Sequence, residues 1–276
     1  MSGLSESEYA TLADEVHCRY GDCPSGAAGL ASWLGVPYRR YPGTGHDMNG
    51  PDYDQPPRTP QRSLVLAATY RSGSTLLAED LITAGGYGWP LEYFQTGAQE
   101  RRFARFPESG YINEVMRHRT ASSGVFGVKL FPADLRASPH LWDHLPDPVV
   151  VWVRRRDRVG QSVSAWRALN GGPWRAEPGA PSVPPPAYDY DVIRRLVGLF
   201  AWEDRWWGER LPDGTVTVWF EDLAMNHHRT REKLLVALED RGMPPDGEPA
   251  AVRLARQADA DSREIAQRFA AEFHSH

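Results

Sequence analysis

An apolar run that breaks into a hydroxyl-rich turn and restarts as a helix leaves a chain few ways to fold. Residues 63–79 read Ser-Leu-Val-Leu-Ala-Ala-Thr-Tyr-Arg-Ser-Gly-Ser-Thr-Leu-Leu-Ala-Glu. Leu64-Val65-Leu66-Ala67-Ala68 shows no polar alternation, so it is expected as a strand covered on both faces, as in parallel sheets. Arg71-Ser72-Gly73-Ser74-Thr75 follows, then helix-forming Leu76-Leu77-Ala78-Glu79-Asp80-Leu81. Amides of such a turn and of the first helical turn are unpaired donors, and the helix dipole favours negative charge beside them. Gly73 lets the backbone approach a ligand, Ser72, Ser74 and Thr75 add donors, and Arg71 adds a full charge. The same residues also suit an ordinary strand–turn–helix with a Ser/Thr cap. A nucleoside-triphosphate loop fits less well, because the Gly-Lys-Ser/Thr ending that positions a metal is missing. An arginine in place of that lysine points to an anionic ligand handled without magnesium.

The rest of the chain repeats the pattern. Val125-Phe126-Gly127-Val128-Lys129-Leu130 and Val149-Val150-Val151-Trp152-Val153 are further strand-like runs, and Thr215–Phe220 is a fourth. Helical stretches separate them: residues 97–120, rich in arginine and expected to carry a solvated basic face; Asp191–Arg210, with Ile193, Leu196, Val197, Phe200 and Trp207 on one side; Arg229–Arg241, stopped by Gly242; and Glu248–Phe273. Continuous strands alternating with helices predict an α/β fold, a central parallel β-sheet flanked by helices. Residues 1–61 differ. Ser5-x-x-Glu8 is a capping box for one short helix, and Gly and Pro crowd residues 35–60. The reading is an N-terminal extension, 1–61, ahead of a main domain, 62–276. Residues 171–189, with Pro184-Pro185-Pro186, read as a lid or a long loop.

Composition narrows the function. A net charge of −5 argues against a nucleic-acid binder, so any anion site must be a local basic cluster. No run reaches the length of a membrane span and the acidic start is not a signal peptide, so a soluble cytoplasmic protein is expected. Cys18 and Cys23 lack companions at metal-ligand spacing, and no metal site is expected. In an open parallel sheet, ligands bind beyond the carboxyl ends of the strands. Arg71–Thr75, Lys129 and Arg154–Arg158 all fall at such ends, so one crevice for a multiply charged anion, such as an adenine nucleotide with two phosphate groups, is predicted.

Thr69–Leu77 resembles the 5′-phosphosulfate loop of sulfotransferases that use 3′-phosphoadenosine 5′-phosphosulfate (PAPS), and its Arg-Ser-Gly-Ser-Thr-Leu-Leu form is similar to that of the Stf0 group. Trp89–Gln95, Val125–Lys129, Arg156–Arg167 and Arg256–Asp259 agree with that resemblance, which runs from about residue 62 to the end. It implies a P-loop-like sulfotransferase fold and a cofactor-binding set of Arg71, Ser72, Gly73, Ser74, Thr75, Arg156 and Ser164. Arg156 and Ser164 would take the 3′-phosphate, arginine as a fork and serine as a further donor. Lys129 would offset charge on the departing phosphate. Many sulfotransferases place a histidine shortly after this lysine, but Leu130-Phe131-Pro132 stands here. The resemblance therefore implies Glu92 as general base, with Tyr93 and Phe94 expected to raise its basicity by desolvation. The implied catalytic set is Glu92, Lys129 and Arg71. His118, His140 and His144 are fallback bases; His227 and His228 are expected to be exposed, and Glu221 structural. The implied reaction moves a sulfuryl group from PAPS to a hydroxyl of a small acceptor, a carbohydrate or glycosylated metabolite, and a homodimer is the implied assembly. The competing readings are a nucleotide kinase or NTPase and a nucleotide-binding protein without catalysis. The front 61 residues and the proline-rich loop depart from the family pattern.

Overall fold

The computed structural model describes residues 4–16, 24–41, 48–95, 102–175, 183–247 and 260–276. Four parallel strands form its sheet: β1 (Arg62–Ala68), β2 (Val125–Leu130), β3 (Pro148–Arg154) and β4 (Val216–Trp219), in the order β2-β1-β3-β4. The chain goes from β1 to β2 on one side, then crosses to β3 on the other. That reversal makes the crevice beyond β1 and β3 the natural ligand site. In the register, Leu66 faces Lys129 on one side and Val151 on the other, so the ends of all three strands lie level. The expected α/β class and parallel sheet are what the chain forms.

Helices cover both faces. On one, α3 (Ser74–Ala84) and α9 (His227–Glu239) bring Leu77, Leu81, Leu234 and Leu238 onto Leu64, Leu66 and Val151. On the other, Phe103, Val115 of α4 (Tyr111–Arg119) and Trp207 of α7 (Tyr190–Gly208) pack on Val65, Phe126 and Val150. A third cluster gathers α1 (Glu6–Asp14), α2 (Gly26–Leu34), α6 (Arg158–Leu169), α7 and α10 (Ala260–Phe273) around Ala68, Tyr70 and Phe131, just past the strand ends. The Ser5–Glu8 capping box forms. Tyr9 and Leu12 of α1 and Leu30 and Leu34 of α2 are buried there, so α1 and α2 share the core of the sheet domain. Burying one such side chain contributes roughly 1.5–3 kcal/mol.

Two expectations for residues 97–120 change. Among the described residues, helix is present at Tyr111–Arg119 and at Arg102; Pro107 and a left-handed Gly110 (φ 85°) break the interval. Nor is the arginine face wholly solvated. Arg119 is fully buried, donating to the carbonyls of Met48, Asn49 and Gly50 and pairing with Asp54, which Arg105 also grips. An arginine's five donors suit a bare turn of carbonyls, and this is how the Gly/Pro-rich arm is held. Of the last helix, Ala260–Phe273 is seen; residues 248–259, and with them Arg256, lie outside the described residues, as do Cys18 and Cys23.

Gly127 decides how the site is assembled. A Cβ there would lie 2.3 Å from the Tyr87 carbonyl oxygen and 3.0 Å from Pro90 N, because residues 87–90 run flat across β2. The contact delivers Leu91 to β2, where Lys129 N donates to Leu91 O at 2.9 Å. Gly127→Ala forces backbone away from backbone, so it is expected to cost at least about 1–3 kcal/mol in denaturant titration. It should also lower activity beyond the loss of folded protein, since residue 92 is displaced with the segment.

Candidate active site

The cradle begins where β1 runs out. Gln161 of α6 donates to Thr69 Oγ1 (2.7 Å) and the Tyr70 carbonyl (2.6 Å), clamping the exit from the strand. Arg71 then adopts φ 62°, a left-handed conformation that costs a non-glycine residue roughly 1–2 kcal/mol. Strain of this kind persists where the surroundings over-determine it, as they do here. Arg71 Nε donates to Ser164 Oγ (3.0 Å), its NH1 donates to the Trp174 carbonyl, and its guanidinium lies 5.6 Å from the Trp174 ring centroid. Gly73 caps α3 at φ 90° with no side-chain hydrogen bond, leaving the first-turn amides to outside acceptors. Glycine is also demanded by space, because a Cβ would sit 2.5 Å from Phe220 Cδ2.

Electrostatics mark the cradle as an anion site. Arg155 reaches from the end of β3, donating to the Arg71 carbonyl (3.3 Å) with its guanidinium 4.7 Å from the Phe220 ring centroid. Burial, with Arg155 adding like-charge repulsion, brings the Arg71 guanidinium down to about 10. Arg155 also pairs with Asp157 (3.9 Å), and two cations side by side out of water still favour an anion between them. Ser72 Oγ is buried with no hydrogen-bond partner among the described residues. An orphaned hydroxyl, uncapped amides and paired guanidinium groups together fit a phosphate or sulfate ester.

Lys129, 3% exposed, connects the cradle to a carboxylate. Its Nζ donates to Thr75 Oγ1 (3.2 Å) and to Glu92 Oε1 (3.0 Å). Burial pushes the Glu92 carboxyl up, but the charges of Lys129 and Arg102, with the Lys129 hydrogen bond and the nearby Gln95 amide, outweigh it and hold the group below its ordinary value. The aromatic neighbours therefore do not make Glu92 more basic. Tyr93 points away into the core, with its hydroxyl donating to the Trp89 carbonyl.

Asp134 stands behind Glu92. One oxygen, Oδ2, accepts from Phe131 N (2.9 Å) and the other is buried with no hydrogen-bond partner among the described residues. Burial, opposed by that amide and reinforced by the Glu92 charge, pushes it up to about 7. A carboxyl raised on folding binds its proton more tightly in the native state, so stability falls as pH rises from about 4 to about 7. The contribution is up to roughly 4 kcal/mol. Thermal melts of Asp134→Asn should lose that decline while the parent chain keeps it.

Arg156 lies elsewhere than Arg155. Its guanidinium forks onto Asp222 (2.9 and 3.0 Å) and stacks 4.5 Å from the Trp219 ring centroid, with its side chain 48% exposed. Hydrogen bonding to Asp222 raises it further. Glu221 accepts from the backbone amides of Arg156 and Asp157, a structural part in the turn that leads into α6. Arg154 is bound to Asp204 and packs on Trp152 and Trp219, and Arg158 pairs with Asp204 and Glu6. The structure thus brings together Arg71, Ser72, Gly73, Ser74, Thr75, Lys129, Glu92 and Ser164, with Arg155 added. Arg155 was available to sequence reasoning, because side chains alternate along a strand and its neighbours 154 and 156 share the opposite face.

The histidines lie apart. His118 contacts the Gln55 carbonyl and Glu114, His140 is exposed beside Asp143, and His144 lines a cavity of about 410 Å³ together with Phe94, Gln95, Tyr111 and Asn113. His228 is exposed as expected, but His227 is not free: its Nε2 lies 3.0 Å from buried Asp80. Among the described residues no three His, Cys, Asp or Glu side chains are placed to hold a metal, and no helix is long and apolar enough to cross a membrane.

The model of the Stf0 sulphotransferase family matches residues 63–272. Trehalose 2-sulfotransferase of Mycolicibacterium smegmatis is 26% identical, the match covering 76% of this chain and 94% of the relative. Trehalose 2-sulfotransferase of Mycobacterium tuberculosis is 28% identical, over 76% of this chain and 95% of the relative.

Proposed function

Because the chain belongs to the Stf0 sulphotransferase family, we propose that it moves a sulfuryl group from PAPS to a hydroxyl of a carbohydrate or glycosylated metabolite, with Glu92 as general base. One observation carries the reading: Lys129 bonds at once to the cradle, through Thr75, and to Glu92. Thr75 of the cradle, Lys129 and Glu92 thus lie within a few ångströms of one another, which supports a donor, a leaving-group cation and a base acting together. The names of the two relatives support a sugar acceptor.

In this reading the cradle amides, Ser72, Arg71 and Arg155 hold the donor's anionic oxygens. The acceptor hydroxyl passes its proton to the Glu92 carboxylate as its oxygen bonds to sulfur. The bond from sulfur to the 5′-phosphate oxygen breaks, and the electron pair leaves on PAP (3′-phosphoadenosine 5′-phosphate), where Lys129 offsets the new charge. A carboxylate held by a lysine is a weak base. It strengthens as the ammonium turns toward the donor, which couples donor binding to base activation. In-line geometry and fixed charge supply most of the rate. Residues 1–61 act as an extension of the catalytic domain, 62–276, because α1 and α2 complete the core beneath the site.

The test is calorimetric titration with PAP together with a labelled sulfate-transfer screen against sugars and glycosylated metabolites. Binding of PAP and transfer to a hydroxyl compound are expected; failure to bind PAP rejects the reading.

A further inference from the structure

Gln95 is the last described residue of the segment that carries Glu92, and it is 7% exposed. Its amide lies close enough to the Glu92 carboxylate to help hold it ionised, yet Nε2 is buried and makes no hydrogen bond among the described residues. A buried amide donor left without an acceptor costs about 1–3 kcal/mol, so the position calls for a partner from outside. Gln95 Oε1 lies 3.5 Å from where a Cβ on Gly26 would be, and the Gly26 amide donates to Tyr70 Oη at 2.6 Å. Gly26 opens α2, in the part of the chain that precedes the family match at residue 63. The start of α2 therefore lies close to this side chain. Gln95 also lines the cavity of about 410 Å³, together with Phe94, Tyr111 and His144.

We propose that Gln95 reads the acceptor: Nε2 donates to the oxygen adjacent to the hydroxyl that Glu92 deprotonates, so the site selects vicinal diols over isolated alcohols. An ionised carboxylate that accepts and a buried amide that donates match the two neighbouring oxygens of a 1,2-diol. The first hydroxyl gives its hydrogen to Glu92, and the second receives one from Gln95. A site built to bond a substrate hydroxyl discriminates against the analogue lacking it, because its own buried donor is then stranded. The inference rests on the proposed sulfuryl transfer and adds which acceptors that reaction takes.

The test uses the full chain with PAPS and two probes, trans-1,2-cyclohexanediol and cyclohexanol. The diol should be preferred at least about tenfold in kcat/KM. Gln95→Leu and Gln95→Glu, which lack the amide hydrogens, should both abolish the preference by lowering turnover of the diol, with PAP affinity unchanged. If Gln95 only braces Glu92, the variants slow both probes equally and the preference survives, which overturns the proposal. Equal rates in the parent chain, or no transfer to either probe from protein that binds PAP, overturn it as well. Failure to bind PAP at all instead overturns the assignment of the donor.

Discussion

Glu92→Gln should bind PAP as tightly as the parent chain and lose about 10²–10⁴-fold in turnover. The amide keeps the shape and still accepts from Lys129, so the cradle is undisturbed, but it has no place for the acceptor's proton. The split between affinity and rate is the informative part. A residue that only orients the lysine would weaken product binding too, and a protein without catalysis would show no rate to lose. The pH dependence follows from the same contacts. With its carboxyl held below the ordinary value, Glu92 is ionised throughout the neutral range. A depressed carboxyl contributes stability that is present above the unfolded pKa of about 4.3 and is lost as pH falls through the lower folded value. The acid limb of kcat/KM attributable to Glu92 should therefore lie below about pH 4.3. A limb near neutrality in the parent chain that disappears in Asp134→Asn would instead report the carboxyl behind it.

The cradle was legible because its chemistry is local: a continuous strand, a glycine, hydroxyls and a helix occupy one stretch, and the structure joins them as the spacing requires. The strands and the amphipathic face of α7 were legible for the same reason. What escaped depends on contacts distant in sequence. Arg119 looks like any surface arginine until the carbonyls of residues 48–50 close over it. The sign of the shift at Glu92 needed Lys129, a residue 37 positions away, to be placed against it. Tyr93 and Phe94 suggested desolvation alone, and burial does act in that direction, but the lysine prevails. Asp134 gave no sequence signal at all, since a carboxylate four residues after a strand, in the first turn of a short helix, is unremarkable. Its one oxygen accepts from the Phe131 amide at that helix start, and its second oxygen is left buried.

Arg71→Gln should produce the largest loss of donor affinity, about 10–100-fold by PAP calorimetry, the equivalent of one or two hydrogen bonds to a charged group. Its guanidinium is buried, strained at the backbone and repelled by Arg155, so the free site is held in a state that an anion relieves. Anion binding raises the pKa of that guanidinium again. Affinity should accordingly hold below about pH 10 and fall as pH rises through that value in the free protein. The two neighbouring arginines then separate family spacing from geometry. Arg156 stands eight residues before Ser164, the spacing that the resemblance assigns to the 3′-phosphate, but its guanidinium is engaged with Asp222 at the surface. An exposed pair of that kind contributes about 0–1 kcal/mol and releases its arginine readily to a stronger anion. Arg155 touches the cradle without rearrangement. If the geometry governs, Arg155→Gln costs more PAP affinity than Arg156→Gln, and raising salt weakens the parent chain more than the Arg155 variant. If Arg156 swings from Asp222 onto the nucleotide, the order inverts. Asp222→Asn, which loosens Arg156 in advance, then tightens PAP binding instead of leaving it unchanged.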